Sequence, residues 1–335
     1  MNKAQLLRQL TSPLLGILVC ILLLATFAAE PAQALASFFS DTFSSAYYFG
    51  SMLNTAAFLM IAGSGSALAI KSGNMNLGGE GQVYLGGFAG CLVLNAAKAT
   101  NVAPIVAILL AALVSCAAGA AMAMLSALLK ELRGARVLLT SFLVSAASIP
   151  IIDGLITASK SSADTNMLAL PYIAESYRLP QLLAPSPLTM SFFAAVAICI
   201  LLYAVMFHST TGRKMQVWGL APLFARYCGY SSAENSYLSL ALSGALHALT
   251  GFFAIAGTYY TCHKGFYAGM GWNALNVALI SAANPLAAIP TSLVLAWLFT
   301  SASRVSLTQG FSFDIAGIVQ GVILFSIAIS FRRKA

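Results

Sequence analysis

Three short stretches hold most of the side chains able to do chemistry. The first is Lys71-Ser-Gly-Asn-Met-Asn-Leu-Gly-Gly-Glu80-Gly-Gln82, which sets Asn74, Asn76, Glu80 and Gln82 among glycines between two long apolar runs. A charge at mid-bilayer costs about 2.5–3.5 kcal/mol even on a lenient insertion scale, so Glu80 must lie at an interface, face a wet cavity or pair with a partner such as Lys71. Two readings stand: a cytoplasmic turn, or a broken helix whose exposed amides face a solute pathway. The second stretch is His263-Lys-Gly-Phe-Tyr-Ala-Gly-Met-Gly-Trp-Asn273. Its Phe266, Tyr267 and Trp272 could stack on a planar ligand, or form an interfacial aromatic belt. Each stretch follows the long apolar run that opens its half of the chain, and paired Gly-interrupted segments point to a transporter's binding site. The candidate pathway residues are Asn54, Asn74, Asn76, Glu80, Gln82, Phe266, Trp272, Asn273 and Asn276.

The third stretch lies in the polar interval 208–235 and contains Trp218-Gly-Leu-Ala-Pro-Leu-Phe-Ala-Arg226-Tyr-Cys-Gly229. Pro222 suits a helix start and Gly229 a helix end, which predicts a short helix across the interval. Leu223, Phe224 and Tyr227 beside Arg226 are too apolar for a solvated linker. They imply burial against the chain's own membrane helices or, as expected here, docking to a soluble partner. Other chemistry is missing from the sequence. There is no G-x-x-x-x-G-K-[ST] phosphate loop and no H-E-x-x-H, and His208, His247 and His263 are dispersed. Gly269-x-Gly271-x-x-Ala274 mimics a dinucleotide fingerprint but lacks the preceding strand. No metal site, bound cofactor or catalytic group is expected, nor is a nucleic-acid partner.

These stretches must be positioned by membrane helices. Of 335 residues, 59% are hydrophobic and 8% charged, against about 25% charged in soluble domains. This excludes a soluble enzyme, a disordered chain and a disulfide scaffold, and the long apolar blocks do not alternate as barrel strands do. With about 20 residues needed per span, the chain reads as an all-α polytopic protein with about ten transmembrane helices. They fall at approximately 13–29, 46–70, 77–97, 103–129, 137–157, 188–207, 236–260, 273–283, 286–303 and 314–331, in two related halves with broken helices. The eighth is too short for a full span, and Asn284-Pro285 divides it from the ninth; a single Pro-kinked helix is the alternative. Placing both termini in the cytoplasm puts twelve of the 17 basic residues inside: Lys3, Arg8, Lys71, Lys130, Arg133, Arg136, Arg213, Lys214, Arg226, Arg332, Arg333 and Lys334. Lys98, Lys160, Arg178, Lys264 and Arg304 remain outside, and the bias obeys the positive-inside rule.

Residues 1–36 also have the basic start, apolar run and Ala32-Gln33-Ala34 of a signal peptide, although an uncleaved anchor is expected in a multispanning chain. Residues 30–45 are expected to lie along the outer surface as an interfacial helix. The loop 158–187, with Lys160, Asp164, Glu175 and Arg178, is expected to be solvated. Cys20, Cys91, Cys116 and Cys199 lie in apolar runs, and no C-x-x-C links any of the six cysteines.

Taken together, the motifs resemble a family. Gly73-Asn-Met-Asn-Leu-Gly-Gly-Glu-Gly-Gln82 is similar to the N-I-G-x-E-G-Q segment of permease subunits from ABC importers for nucleosides and simple sugars, a branch of the ribose and branched-chain amino-acid permeases. Val217-Trp-Gly219-Leu-Ala-Pro222 through Ala225-Arg226-Tyr227-x-Gly229 resembles the family's coupling segment, and Ser243-Gly244-Ala245 with Gly251 and Asn284-Pro285-Leu286 follow in the family's order. Val217, Ala221, Cys228 and His247 depart from the pattern, as does the missing Arg before Asn284.

The resemblance implies a single permease domain over 1–335: an N-terminal span and interfacial segment (1–45), a first half (46–157), an extracytoplasmic loop (158–187), a coupling loop (208–235) and a second half (236–331). It further implies a second permease subunit, identical or paralogous, an extracytoplasmic binding protein, and ABC ATPase subunits that use ATP and Mg while this chain binds no cofactor. Gly219, Pro222, Phe224, Ala225, Arg226, Tyr227 and Gly229 would form the ATPase-coupling element, in a bacterial cytoplasmic (inner) membrane. The cargo it suggests is a planar heterocycle, of purine-nucleoside or riboflavin type. A ribose-like sugar permease and an ATP-independent secondary transporter are the alternatives.

Overall fold

The computed structural model describes residues 3–159 and 167–332, with side chains from 11 to 327. Lys160, Asp164, Arg333 and Lys334 lie outside the described residues, as do the side chains of Lys3, Arg8 and Arg332. The described chain forms thirteen α-helices: α1 Lys3–Phe27, α2 Pro31–Ser40, α3 Ala46–Lys71, α4 Gly79–Ala99, α5 Pro104–Arg133, α6 Val137–Ala158, α7 Ser191–His208, α8 Thr210–Leu220, α9 Pro222–Tyr227, α10 Ser232–Ala254, α11 Met270–Ile280, α12 Pro285–Thr308 and α13 Ile315–Arg332. A π-helical turn, Ile255–Tyr259, extends α10. Among the described residues, six helices are long and apolar enough to cross a membrane: α3, α5, α6, α7, α12, and α10 with its π turn. α4 has the length but carries the polar Gly-rich start.

Local chemistry sets the boundaries. Ser45, Ser209 and Ser231 cap α3, α8 and α10 through their side-chain oxygens, supplying acceptors for amides that a helix start leaves unpaired. Pro104, Pro222 and Pro285 occupy first turns, where the missing N–H is harmless. Between α11 and α12, Ala282 and Ala283 turn the chain with φ of 51° and 55°, and Asn284 Oδ1 accepts from Leu286 N–H at 3.0 Å. Two helices therefore meet at a capped turn, and the Pro-kinked alternative does not hold.

α2 is a short helix within the 30–45 segment and packs against α12. Phe38 is buried against Trp297 of α12, with ring centroids 5.3 Å apart, while Phe39 is exposed. Arg304 fixes its end, with an Asp41 ion pair at 3.2 Å and its guanidinium 3.3 Å from the Tyr48 ring centroid. The 158–187 loop is not a solvated linker where described. Leu170 and Ile173 donate backbone bonds to Cys262 and Tyr260, and Leu170, Ile173 and Tyr177 are buried. Its apolar residues are interrupted by Pro171, Pro180, Pro185 and Pro187, so no helix is legible in them, yet they close over the π turn of α10.

The core is an interlocked pair of inverted units, α3–α6 and α10–α13. α10 packs most extensively on α5 and α4, and α3 on α12 and α11. Exchanging α3 with α10, α4 with α11 and α5 with α12 maps one set of contacts onto the other. Small residues allow this proximity, as in membrane bundles generally. At Gly251 of α10, a Cβ would collide with the Val83 carbonyl of α4. Gly251→Leu is accordingly expected to force α4 and α10 apart, lowering the detergent melting temperature and yielding aggregated protein on size exclusion. Gly154→Ala, at a position with open space around it, is the matched substitution that should leave both readouts unchanged.

Candidate functional site

The chain between α3 and α4 turns back at Ser72–Gly73, where Gly73 takes a φ of 77°. Residues 74–78 then run without helix alongside α10, and a stripe of α10 side chains four residues apart receives the segment. Asn235 Nδ2 donates to the Ser72 carbonyl at 3.0 Å, Asn74 to Ser239 Oγ at 2.9 Å and Asn76 to Ser243 Oγ at 3.0 Å. His247 then lies against Gly79, with its ring nitrogens 2.7 Å from the Ser243 carbonyl and 3.1 Å from Ser66 Oγ. Twelve residues of helix correspond to a climb of about 18 Å. The segment thus re-enters the helical bundle and is not left as a turn at its surface. Its amides do not stand free: Leu77 N–H and Gly81 N–H donate to Ser141 and Ser145 of α6, and Gly78 N–H donates to Asn76 Oδ1.

At the top of this climb, the first turn of α4 meets the first turn of α11. Gly271 approaches the Gly79–Glu80 backbone so closely that a Cβ would collide with it. Two inverted helices thus touch by their N-termini, both of which carry partial positive charge. Glu80 lies between them, its Oε1 accepting from Gly271 N–H at 2.9 Å and Trp272 N–H at 3.1 Å. Lys71 is not its partner and instead approaches the Phe207 ring at 5.8 Å.

The pathway candidates separate into groups. Asn74, Asn76 and Gln82 are buried and committed to bonds within the chain, with Asn76 Nδ2 also donating to Gln82 Oε1 at 2.9 Å. Phe266 is buried among Tyr84, Tyr259, His263 and Tyr267. Trp272 and Asn273 are half-buried at the start of α11, and Trp272 neighbours the exposed Phe142 of α6 at 6.3 Å between centroids. Asn54 donates to Thr258 Oγ1 at 2.9 Å. Asn276 is fully buried with neither amide atom bonded, the kind of group that usually binds water or a ligand.

Sequence reasoning missed Lys130, whose Nζ donates to Asn74 Oδ1 at 2.7 Å and Ser236 Oγ at 2.8 Å. It stands at a cavity of about 620 Å³ shared with Arg136, Arg226 and Glu131. The polar stripe Asn235, Ser239, Ser243, His247 was the signal available, since its four-residue period marks one helix face.

The interval 208–235 holds two helices where one was expected. α8 precedes α9, and α9 occupies most of the expected position. Leu223, Phe224 and Tyr227 are 75%, 60% and 91% exposed, and Leu220 beside them is 81% exposed. Ala225 is buried, while Arg226 and Gly229 are exposed. Gly219 does not share this face: it abuts the backbone of Lys71 and Gly73, leaving no room for a Cβ. The exposed helix is therefore joined, through α8, to the foot of the re-entrant segment.

An all-helical chain with apolar spans, interlocked halves, one re-entrant segment where they meet and an exposed apolar helix at one end has the architecture expected of a permease. Residues 48–328 match the family described as branched-chain amino acid transport system / permease component, and the chain belongs to that family. Over 94% of this chain and 83% of the relative, it is 30% identical to "Probable riboflavin import permease protein RfuC" of Treponema pallidum. It is 29% identical to the glucose ABC transporter permease protein TsgB13 of Haloferax volcanii, over 93% and 84% of the two chains. Against the guanosine ABC transporter permease protein NupP of Bacillus subtilis the identity is 22%, over 98% and 94%.

Proposed function

We propose that this chain forms half of the pathway of an ATP-driven importer for a planar heterocycle such as a nucleoside or flavin. The observation that carries the coupling mechanism is the pairing of an exposed apolar α9 with the Gly219 contact at the foot of the re-entrant segment. An ATPase subunit buries α9. Its closure on ATP moves α9 and α8, and Gly219 passes that displacement to Lys71–Gly73. From there the hydrogen-bonded stripe on α10 and the Glu80 contact with α11 carry it to the centre of the bundle. Such a shift occurs only if the ATPase binds the two states with different free energy.

The basic residues Lys71, Lys130, Arg133, Arg136, Arg213, Lys214 and Arg226 cluster at the helix ends near α9, and their excess makes this end cytoplasmic. In this orientation both termini are inside and ten helices cross or enter the membrane, with α2, α8 and α9 at its surfaces. A second permease subunit completes the pathway, and an extracytoplasmic binding protein delivers the solute in a bacterial inner membrane. The riboflavin and guanosine relatives support a heterocycle, as do the half-buried Tyr267 and Trp272. The glucose relative supports a second reading, a sugar permease.

Reconstitution of the purified permease with its ATPase and binding protein in liposomes distinguishes these. ATP-dependent accumulation of labelled guanosine or riboflavin, with glucose excluded, is the expected result. Uptake without ATP would reject the coupling mechanism, and glucose uptake alone would reject the heterocycle.

A further inference from the structure

One ionic cluster stands apart from the re-entrant site. Asp153 lies in α6, five residues before its end and so about 7.5 Å below it. Tyr84 of α4 is fully buried, and its hydroxyl donates to Asp153 Oδ1 at 2.6 Å. Lys264, from the loop before α11, places Nζ 3.7 Å from Asp153 Oδ2. The carboxylate and ammonium side chains retain 22% and 49% exposure. Tyr267 of the same loop is half-buried, its ring 4.5 Å from that of Tyr84 and tilted by 36°. Next to Asp153, Gly154 has nothing within 4 Å of the place a Cβ would take.

Ionisable side chains within membrane helices face wet cavities and pathways, so this exposed edge is directed at water. It has a definite chemical pattern. A hydrogen-bond acceptor and a donor stand side by side, one anionic and one cationic, next to an aromatic face. That is the complement of a cyclic lactam edge, where a ring N–H adjoins a carbonyl in a flat ring. A guanine offers N1–H with its 6-carbonyl, and an isoalloxazine offers N3–H between two carbonyls.

We propose that Asp153 and Lys264, with Tyr267, form a recognition subsite at the mouth of the pathway for heterocycles bearing a lactam N–H. Tyr84 is a positioning residue: its hydroxyl fixes one carboxylate oxygen and leaves the other for the ligand. A carboxylate retains acceptor capacity after one such bond, having about four lone-pair sites. A hexose has neither the flat face nor the fixed donor-acceptor order, so the subsite selects against it. This rests on the heterocycle importer proposed above, and names the group on the solute that the permease reads.

The test compares guanosine with 1-methylguanosine, which lacks the N1–H, in liposomes holding the complete transporter and one and the same binding protein. Asp153→Asn is expected to reduce guanosine uptake about tenfold, the scale of one hydrogen bond to a charged group, and to leave 1-methylguanosine uptake near the wild-type rate. Lys264→Met and Tyr267→Leu, in the loop and away from the helix core, should lower uptake of both solutes, because 1-methylguanosine keeps the carbonyl and the flat ring. Asp153→Ser supplies the N1–H comparison if Asp153→Asn fails to fold. A wild-type guanosine to 1-methylguanosine ratio in a folded Asp153 variant, or unchanged guanosine uptake in Lys264→Met and Tyr267→Leu, overturns the subsite while leaving the importer intact. Absence of any ATP-dependent heterocycle uptake by the wild type overturns both.

Discussion

Glu80→Ala is expected to reduce transport at least a hundredfold, while Glu80→Gln keeps it within about tenfold of wild type. Glu80 Oε1 takes both the Gly271 and the Trp272 amides, two of the donors that a helix start cannot satisfy by itself. Truncation to Ala leaves both unpaired in a buried place, at about 1–3 kcal/mol each. It also removes the negative group between two positive helix ends. Gln keeps an oxygen where those amides point and gives up only the charge. Uptake measured beside detergent melting temperature separates the possibilities. A joining role lowers melting in Ala more than in Gln, with uptake following the same order. Equal loss of uptake in both, with melting unchanged in both, would instead make the charge itself the functional element and assign Glu80 to the solute.

The second large effect belongs to the opposite end of the mechanical path. Phe224→Asp with Tyr227→Asp is expected to leave the permease folded and to abolish both ATPase co-purification and ATP-dependent uptake. These side chains are 60% and 91% exposed in the isolated chain, so nothing within the fold depends on them. Burying a large apolar side chain in an interface is worth about 1.5–3 kcal/mol, and two buried carboxylates would add a desolvation penalty. A loss of more than a thousandfold in affinity follows from roughly 4 kcal/mol. Arg226→Ala should do much less, because an exposed ion pair contributes about 0–1 kcal/mol. Pull-down of tagged ATPase with unaltered permease melting is the measurement. Retained ATPase binding by the double variant would remove α9 from the coupling role.

The pattern of apolar runs was enough to read an all-helical membrane chain and to locate α3, α5, α6, α7, α10 and α12. A spanning helix must hide its own backbone polar groups, so its length and composition are written locally. The capped turn at Asn284 and the short α9 after Pro222 were legible for the same reason. α8 was not, because its Thr210–Leu220 sequence mixes Arg213 and Lys214 with Met215 and Trp218 and is too polar overall to stand out as an apolar run. The buried part of the 167–187 loop was also hidden. Ile173 and Tyr177 become core residues only once the π turn of α10 is beneath them.

The residue types around Glu80 left a turn and a broken helix both open, and did not show what that segment touches. By itself the sequence determined that Glu80 and Gln82 could not be left in hydrocarbon, and that Leu223, Phe224 and Tyr227 needed a cover. Both follow from the energetics of single groups, which depend on residue type and local neighbours. Only the tertiary structure decided the partners: Gly271 and Trp272 for Glu80, and Ser239 and Ser243 for Asn74 and Asn76. It also brought Lys264 to Asp153. These pairs lie across interlocked inverted halves, often more than a hundred residues apart in sequence. Their distances are set by how closely glycine-lined helices can approach, which no local spacing encodes.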